Sequence, residues 1–356
     1  MAARELTLTD PVFVPKANRN VLERFALHFI RDERDLPFVW LSAAITLVLI
    51  PLAVLLFVPG VFRWWMAPIY WAVLFGGFFD RFILMLHNTS HKPLFKRQYG
   101  FLKAYIPWVI GPFCGQSPET YFIHHITMHH AEGNLVKDLS STMKYQRDSF
   151  VDWLKYFFDF FLLSLFRLGN YQLAKRRPRL FAWMLFGELS FYALCAVAVS
   201  INPGAAITVF IAPWLTARIL MMCGNWGQHA FVDPNDPGNS YRSSITCING
   251  VYNRRAFNDG YHISHHLSAT RHWTDHPQEL IDNRAKYVAH DAIIFEKIDF
   301  FVVWLFLMTK NYDALAKHFV DLRETPRSKE EIIALLKSRV QAIDVTRPEI
   351  QAAVPV

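Results

Sequence analysis

Four long apolar stretches divide the chain and predict membrane-spanning helices. Residues 38–57 carry no charge, and about twenty such residues are long enough to cross a bilayer. The other stretches are residues 66–86, 180–200 and 205–224. Short connections join the first to the second and the third to the fourth, so we expect two helical hairpins. Soluble core helices are the alternative, but paired stretches of this length favour spans.

Three shorter apolar stretches predict helices that lie at the membrane surface. Residues 101–115 contain prolines and glycines, which break the stretch before it reaches a spanning length. Residues 149–168 are rich in aromatic side chains but also carry charges, and residues 300–308 are too short to cross. A helix with one apolar side and one charged side is typical of the interface.

The remaining sequence is polar and predicts a cytosolic, histidine-rich helical cap. We expect an all-α integral membrane fold in three parts: residues 1–37 as a cytosolic N-terminal segment, residues 38–320 as the membrane domain, and residues 321–356 as a cytosolic helix and tail. In the last part, Ser328 and Glu331 form a capping-box pattern ahead of an apolar run, which predicts a short helix.

Basic residues precede the first and third spans and are almost missing from the hairpin tips. The first group is Arg19, Arg24, Arg31 and Arg34, and the second lies within residues 175–179. By the positive-inside rule, both termini and the polar cap face the cytosol. We expect the bacterial inner membrane, or the endoplasmic reticulum in a eukaryote. The net charge of +7 therefore reflects the orientation of the chain in the membrane, and nucleic acid is not an expected partner.

Composition narrows the class of protein further. Hydrophobic residues make up 53% of the chain, which excludes disorder because there is ample apolar surface to offset chain entropy. The four cysteines are widely spaced and form no C-x-x-C pair, so a disulfide-stapled secreted domain is not expected. Histidine is abundant, with 15 residues, and most of them fall into clusters.

The clustered histidines all fall at or beyond the cytosolic ends of the predicted spans. They occur as HNTSH from His87, HHITMHH from His124, NWGQH ending at His229, and HISHH from His262. Spacings of three and four residues place side chains on one face of a helix. Imidazole is a ligand for iron, zinc, copper and nickel. One ion takes about four to six ligands, so the set fits two ions better than one.

Other metal and catalytic patterns are missing from the sequence. H-E-x-x-H and E-x-x-H do not occur, so a zincin and a soluble carboxylate di-iron bundle are both unsupported. The sequence also has no G-x-S-x-G elbow, no phosphate-binding G-x-x-x-x-G-K-[ST] loop and no C-x-x-C-H haem-attachment motif. The histidine clusters are therefore the main candidate for a chemical site.

The order of these clusters resembles the membrane fatty acid desaturase and hydroxylase superfamily. H-x3-H, H-x3-H-H and H-x2-H-H follow one another within residues 38–273, and NDGYHISHH (258–266) is similar to the third histidine box of acyl desaturases. The resemblance implies two iron ions. The ligands that it implies are His87, His91, His125, His129, His130, His229, His262, His265 and His266, with Asn225 of NWGQH reaching one iron through water.

The spacing within the boxes leaves the reaction open. The first two boxes each have three intervening residues, where many acyl-CoA desaturases have four and two. Both spacings occur in the wider superfamily, which includes hydroxylases, ketolases and alkene-forming decarboxylases. In box two, His124 is an alternative ligand to His125, and we favour His125 because it stands four residues before His129.

Charged residues inside the predicted spans form a second candidate feature. At 1.5 Å per residue, Asp80, Glu188 and Arg218 lie about 10 Å below the cytosolic boundary. Charges at this depth are costly and normally paired, so we expect Glu188 to pair with Arg218 near Asp80. The pair either packs the helices together or closes the metal pocket and contacts substrate. Asp259, just before the third box, is a further candidate for a supporting role.

The resemblance implies O2-dependent oxidation of aliphatic C–H bonds in a fatty acid or fatty acyl chain within the bilayer. A desaturase is the most direct expectation, and a hydroxylase or an oxidative decarboxylase giving a terminal alkene are the alternatives. With no haem or iron–sulfur motif, the chain must take two electrons from an external donor such as ferredoxin, rubredoxin or cytochrome b5 with its reductase.

Two further questions stay open at the level of the sequence. Basic residues within 167–179 and 242–255 either contact an acidic electron carrier or only enforce topology and bind anionic lipid. A membrane metal-binding or transport protein is the rival to an enzyme. It would need polar ligands along a path through the spans, whereas the boxes cluster at one membrane face.

Overall fold

Four helices dominate the fold. The computed structural model describes residues 6–355, and the chain is 65% helical. The helices long and apolar enough to cross a membrane are Glu33–Phe57, Met66–His91, Pro178–Ile201 and Pro203–Gln228, here called spans one to four. They confirm the four predicted spans, while the hairpin arrangement stays a prediction. Residues 1–5 of the N-terminal segment and residue 356 of the tail lie outside the described residues.

Three turns of π-helix in apolar segments each end two residues before a proline. They are Ile45–Leu49 before Pro51, Tyr105–Ile110 before Pro112, and Ile207–Ile211 before Pro213. Proline has no N–H, and its ring collides with the carbonyl four residues back, so the helix widens there instead of continuing regularly. In span two, the π turn Leu74–Phe78 contains the Gly76–Gly77 pair instead.

Shorter helices surround the spans. Two predicted interfacial stretches are helical, at Phe150–Ala174 and Phe300–Met308. The stretch around residues 101–115 is broken, as expected, into Arg97–Ala104, Tyr105–Ile110 and Gly111–Phe113. The capping box at Ser328 and Glu331 is present and opens Lys329–Arg339. The other helices are Val21–Phe29, Thr120–His124, His125–His129, His130–Glu132, Ser240–Ser243, Val251–Arg255, His262–Leu267, Trp273–Asp275, His276–Asp282, Arg284–Ala289, Tyr312–His318 and Pro348–Gln351.

Two short strands depart from the all-α expectation. Strand β1 (Ile245–Ile248) and strand β2 (Ile293–Glu296) pair in parallel, with Ile245 opposite Ile293. Seven of their eight residues are buried, which makes the pair part of a core. The sequence did not predict them, because four apolar residues in a row do not distinguish a buried strand from a buried helix.

The described chain divides into two compact units. Unit one comprises residues 6–12, 125–168 and 220–355, and unit two comprises residues 13–124 and 169–219. Unit one therefore carries boxes two and three together with His229, and unit two carries box one and most of the span residues. The core of unit one packs Phe231 and Val303 around the two strands.

In unit one, the C-terminal segment packs on the loop that follows box two. Ile343 and Ile350 are buried against Leu135 and Met143, and the backbone N–H of Ile343 donates to the carbonyl of Met143. Ile343 and Ile350 thus help to hold the loop that follows the histidines of box two.

In unit two, two glycines allow the segment before box two to lie against the spans. A Cβ on Gly115 would lie 2.4 Å from the carbonyl oxygen of Pro213, and one on Gly187 would lie 2.1 Å from that of Pro118. Gly115 also has a φ of +76°, a conformation that other residues rarely adopt. Spans three and four therefore fix this segment through direct backbone approach.

Candidate metal centre

Box two lies on a helical run that widens at its centre. The run continues from Thr120 to Glu132, and its middle turn, His125–His129, is a π turn. In a π turn the hydrogen bonds join residues five apart, so His125 and His130 come to share a face. Their Nε2 atoms lie 3.1 Å apart. Single π turns of this kind are frequent at functional sites.

These two residues meet one histidine of box three. Nε2 of His265 lies 2.9 Å from Nε2 of His130, and its ring is stacked over that of His125 with 6.0 Å between centroids. We call His125, His130 and His265 the first histidine group. Two of the three are buried and His130 is half-buried.

A second histidine group gathers His129, His229, His262 and His266. One ring nitrogen from each lies within 4.8 Å of the others. Nε2 of His262 is 3.1 Å from that of His229 and 3.0 Å from that of His266. His262 and His266 are one helical turn apart, whereas His265 turns toward the first group. Box three therefore serves both groups.

His125 and His129 fall in different histidine groups, contrary to the prediction from their spacing. The four-residue spacing to His129 predicted that both side chains would serve one face, but the π turn assigns them to different groups. His124 belongs to neither group among the residues that the structure describes.

Box one lies at the end of span two, within unit two. His87 and His91 are one turn apart on that helix, and their ring centroids lie 5.1 Å apart. The spacing therefore gives the convergent pair that the sequence predicted. His87 is buried and His91 is half-buried.

A buried carboxylate orients one ring of the second group. Oδ2 of Asp138 lies 2.7 Å from Nδ1 of His129, so Nδ1 donates to the carboxylate and Nε2 is the ring nitrogen left for a metal. The backbone N–H groups of Asn134 and Ser140 and the hydroxyl of Ser140 also donate to Asp138. A carboxylate that holds a histidine in this way fixes the ring and raises its basicity as a ligand.

A backbone carbonyl orients the ring of His229. Its Nδ1 donates to the carbonyl of Ser243 at 2.9 Å, and the hydroxyl of Thr142 donates to the carbonyl of His229 at 2.6 Å. Burial, followed by the neighbouring His129, lowers the pKa of His229 to about 3. Burial and the adjacent histidines also lower the pKa of His266 well below its usual value. Both rings are therefore neutral at pH 7, which is the form that binds metal.

The side-chain amide of Asn225 is fixed near the same residues. Its Nδ2 donates to the carbonyl of Ser140 at 2.9 Å and to the hydroxyl of Tyr156 at 2.7 Å. Because a carbonyl only accepts, the amide orientation is determined, and Oδ1 is the atom available for a water or a ligand. Burial raises the pKa of Tyr156 well above its usual value, so the phenol stays neutral.

This set of donors fits a pair of metal ions. Both groups consist of imidazoles alone, and in His129 and His229 the outer partners fix Nδ1 as the protonated nitrogen. The Nε2 of His229 then presents a lone pair toward another ring nitrogen at 3.1 Å, an approach that a shared proton or a cation between them stabilises. Imidazole suits iron, zinc, copper and nickel, so the ligands alone do not name the metal.

The predicted ion pair within the spans of unit two is present. Nη2 of Arg218 lies 3.5 Å from Oε1 of Glu188, which is buried. The same carboxylate accepts hydrogen bonds from the hydroxyls of Ser117 and Thr120, the latter at 2.6 Å. Glu188 therefore connects span three to the segment that leads into box two.

The two other candidate acids have local partners. Oδ1 of Asp80 accepts from the backbone N–H of Arg81 at 2.9 Å. Oδ2 of Asp259 accepts from the hydroxyl of Tyr252 at 2.7 Å and from the amide of Gln228 at 3.4 Å. Asp259 thus ties the turn before box three to the end of span four.

Sequence reasoning missed the residues that hold the rings from outside. Asp138 lies nine residues after His129, and the Ser243 carbonyl lies fourteen residues after His229, so neither falls into a box. An acid in the loop that follows a histidine box is the one sequence signal that could have indicated Asp138. Every residue has a backbone carbonyl, so the residue type gives no sign that the carbonyl of Ser243 contacts His229.

The chain is similar to a known protein family. The family model described as "Fatty acid desaturase" matches residues 63–297, more than half of the chain. The matched range includes every clustered histidine and Asn225. No curated protein and no solved structure matches the chain.

Proposed function

The chain belongs to the fatty acid desaturase family of membrane oxidoreductases, and from this premise we propose that it is an O2-dependent di-iron oxidase of fatty acyl chains. The observation that carries the proposal is the division of seven imidazoles of unit one into two groups. Two groups of imidazole ligands match the two irons that the family generally uses.

We assign box one to the same centre from the order of the motifs. His87 and His91 would complete the first histidine group, which otherwise has three ligands. The second group has four ligands, and Asn225 would add a water-mediated contact. This gives the nine histidines and one asparagine that the sequence resemblance implies.

The chemistry that two bound irons supply is the reduction of O2 coupled to removal of hydrogen from an unactivated C–H bond. Desaturation takes two electrons and two protons from the acyl chain. Two further electrons from a donor and two protons from solvent complete the reduction of O2 to two waters. The donor would be ferredoxin, rubredoxin, or cytochrome b5 with its reductase.

The protein's own residues provide orientation and exclude water. Asp138 and the Ser243 carbonyl hold the protons on the outer nitrogens of His129 and His229, which keeps their inner nitrogens free for metal. Asn225 offers Oδ1 to a water, since its Nδ2 is committed to Ser140 and Tyr156. Burial of these rings limits the access of bulk water to the ligand nitrogens.

We propose that the boxes, both termini and the polar cap face the cytosol. The placement of lysine and arginine ahead of spans one and three supports this orientation. A bilayer substrate is supported by the family and by the four apolar spans. Two hairpins remain the proposed arrangement of those spans.

Metal and product analysis of the purified protein tests the proposal. We expect about two irons per chain, and new internal double bonds in the lipids of a heterologous host that lacks them. Hydroxylated lipids or terminal alkenes without new internal double bonds would replace desaturation by one of the alternative reactions. Labile zinc without any oxidised product would reject the oxidase and favour a metal-binding or transport protein.

Asp138→Asn is expected to weaken metal binding without unfolding the protein. The amide still accepts hydrogen bonds, but it no longer places a negative charge beside His129. Loss of such an outer partner costs about 10- to 100-fold in metal affinity or activity. Iron retained during a chelator titration measures the effect.

Asp148→Asn is the control, since Asp148 is buried but bonds to Gln146 and Tyr312. Equal iron retention in both variants would contradict the role of Asp138.

Two substitutions at Glu188 separate packing from a direct role in the reaction. Glu188→Leu leaves two hydroxyls and Arg218 without their acceptor, and we expect it to destabilise the protein by about 3 kcal/mol or more. Glu188→Gln keeps an acceptor oxygen, so we expect near-normal turnover. Thermal unfolding and turnover are measured together. Lost turnover in a well-folded Glu188→Gln protein would instead favour contact with substrate or the metal pocket.

A further inference from the structure

The helix Val21–Phe29 exposes its apolar side. Val21, Leu22 and Phe25 are 66–70% exposed and lie together along one face, whereas the residue that the helix buries is the small Ala26. A helix on the surface of a soluble domain normally turns its wide apolar stripe toward the core. The sequence predicts a polar cytosolic segment here, and that prediction does not explain why the helix exposes an apolar face.

A second exposed aromatic residue lies on the segment packed beside this helix. Phe101 is 73% exposed on the short helix Arg97–Ala104, and the basic residues Arg97 and Lys103 are exposed with it. Phe29 and Tyr99 join the two segments, with 4.8 Å between their ring centroids. His28 also meets the Tyr99 hydroxyl at 2.5 Å.

Backbone contacts make the two segments one rigid structure. Ile30 and Phe95 form an antiparallel bridge. The backbone N–H of Lys96 donates to the carbonyl of Phe29 at 2.8 Å, and that of Arg31 donates to the carbonyl of Leu94 at 2.9 Å. Nζ of Lys96 adds bonds to the carbonyls of residues 27 and 28. The beginning of span one is thereby held beside the end of span two.

The exposed apolar side chains continue the lipid-facing side of the spans. Span one begins at Glu33, four residues after the N-terminal helix ends, and exposes large apolar side chains such as Leu47 and Val54. Span two ends at His91, six residues before the second segment begins. A surface so close to both spans meets the headgroup region of the same bilayer.

The charge of this region favours anionic headgroups. Within residues 16–35 and 92–104 the basic residues outnumber the acids: they are Lys16, Arg19, Arg24, Arg31, Arg34, Lys92, Lys96, Arg97 and Lys103, against Glu23, Asp32, Glu33 and Asp35. Three of the acids, Glu23, Glu33 and Asp32, are paired with Lys16, Arg19 and Arg34. The positive charge that remains attracts the negative surface of a cytoplasmic leaflet.

We propose that the exposed faces of Val21–Phe29 and Arg97–Ala104 form a membrane-anchoring surface that inserts into a leaflet rich in anionic lipid. The apolar side chains enter the boundary between headgroups and acyl chains, and the basic side chains bind the phosphates. The surface fixes the depth at which span two ends, and therefore the depth of His87 and His91. The inference does not depend on the reaction that the protein catalyses.

Site-directed spin labelling in nanodiscs tests whether lipid covers this surface. Single cysteines replace Phe25 and Phe101, with Glu324 and Glu330 as exposed controls. Three native cysteines are buried, so only Cys195 needs replacement by serine. We expect labels at 25 and 101 to relax more with O2, which concentrates in lipid, than with a water-soluble nickel chelate. The control labels should show the reverse.

Each other outcome rejects the lipid anchor. Greater relaxation by the nickel chelate at both test positions would place the surface in water. Protection from both reagents would mean that protein covers the surface, either a second copy or a co-purified partner. Circular dichroism and unfolding temperature confirm that the labelled proteins are folded, so a negative result is not attributed to misfolding.

A second arm tests the preference for anionic lipid. Raising the phosphatidylglycerol content of the nanodiscs should move the label at position 25 deeper. The triple variant Arg24→Gln, Arg97→Gln, Lys103→Gln should lose most of that shift, while Lys337→Gln on the helix Lys329–Arg339 should keep it. No shift in the parent protein would reject the electrostatic part of the proposal.

Discussion

His229→Ala is expected to lower bound iron from about two per chain to one or fewer and to reduce turnover by at least about 100-fold. His229 is fully buried, and its Nε2 faces His262 in the second histidine group. It is the one histidine of the implied set outside the three boxes, so no neighbouring histidine in its own segment can replace it. Removing it leaves three imidazoles in that group, fewer than the usual ligand number of one ion.

Metal content, turnover and unfolding temperature are measured on the same preparation. His229→Gln provides a larger side chain and limits the cavity that alanine leaves. His318→Ala is the matched control, because His318 is half-buried, bonds to the carbonyl of Glu296 and belongs to neither group. Two irons and normal turnover in His229→Ala would remove this residue from the centre and reject the second group as a metal site.

The spans and the boxes were predictable because each depends on local sequence. About twenty apolar residues match the thickness of a bilayer regardless of what they pack against. A histidine pair at helical spacing, such as His87 and His91, converges because of helix geometry alone. For such features, the residue types and their spacing contain the needed information.

The division of box two between the groups was not predictable from a regular helix. A 3.6-residue period assigns His125 and His129 to one face, but the π turn separates them and brings His125 to His130. In the apolar segments, a proline two residues later marks three of the π turns. Box two has no such proline, so tertiary contacts decide the widened turn there.

The outer partners of the rings depend on contacts between distant parts of the chain. The carbonyl of Ser243 and the loop carboxylate of Asp138 reach their histidines only after unit one has folded. The exposed apolar face of Val21–Phe29 was also missed, because charged neighbours give residues 1–37 a polar average. Both features are recognised from which side chains are buried or exposed in the folded protein, and not from the composition of the sequence.

Arg147 holds together the segments around His229 through carbonyl groups alone. Its side chain is fully buried and donates to six backbone carbonyls, which belong to Thr142, Met143, Tyr145, Ala230, Arg339 and Gln341. Burial lowers the pKa of its guanidinium to about 9, so it is still protonated at neutral pH. One side chain therefore connects the loop after box two, the residue after His229 and the C-terminal segment.

We expect Arg147→Met to destabilise the protein by more than about 4 kcal/mol, since it removes six hydrogen bonds and each buried carbonyl that keeps no other donor costs about 1–3 kcal/mol. Methionine is long enough to fill much of the space but donates no hydrogen bond. Arg147→Lys restores a charge and three donors, so its loss of stability should be intermediate. Thermal unfolding in detergent measures both, with the exposed Arg347→Met as the control.

Hydrogen exchange distinguishes a local connection from general destabilisation. The amides of Val232 and Ile343 donate to the carbonyls of Arg339 and Met143, so their protection reports on the segments that Arg147 joins. They should exchange at least tenfold faster in Arg147→Met under conditions where the spans stay protected. Because Ala230 follows His229 directly, bound iron should fall as these amides open. Unchanged exchange and unchanged iron would mean that the surrounding backbone holds His229 in place without Arg147.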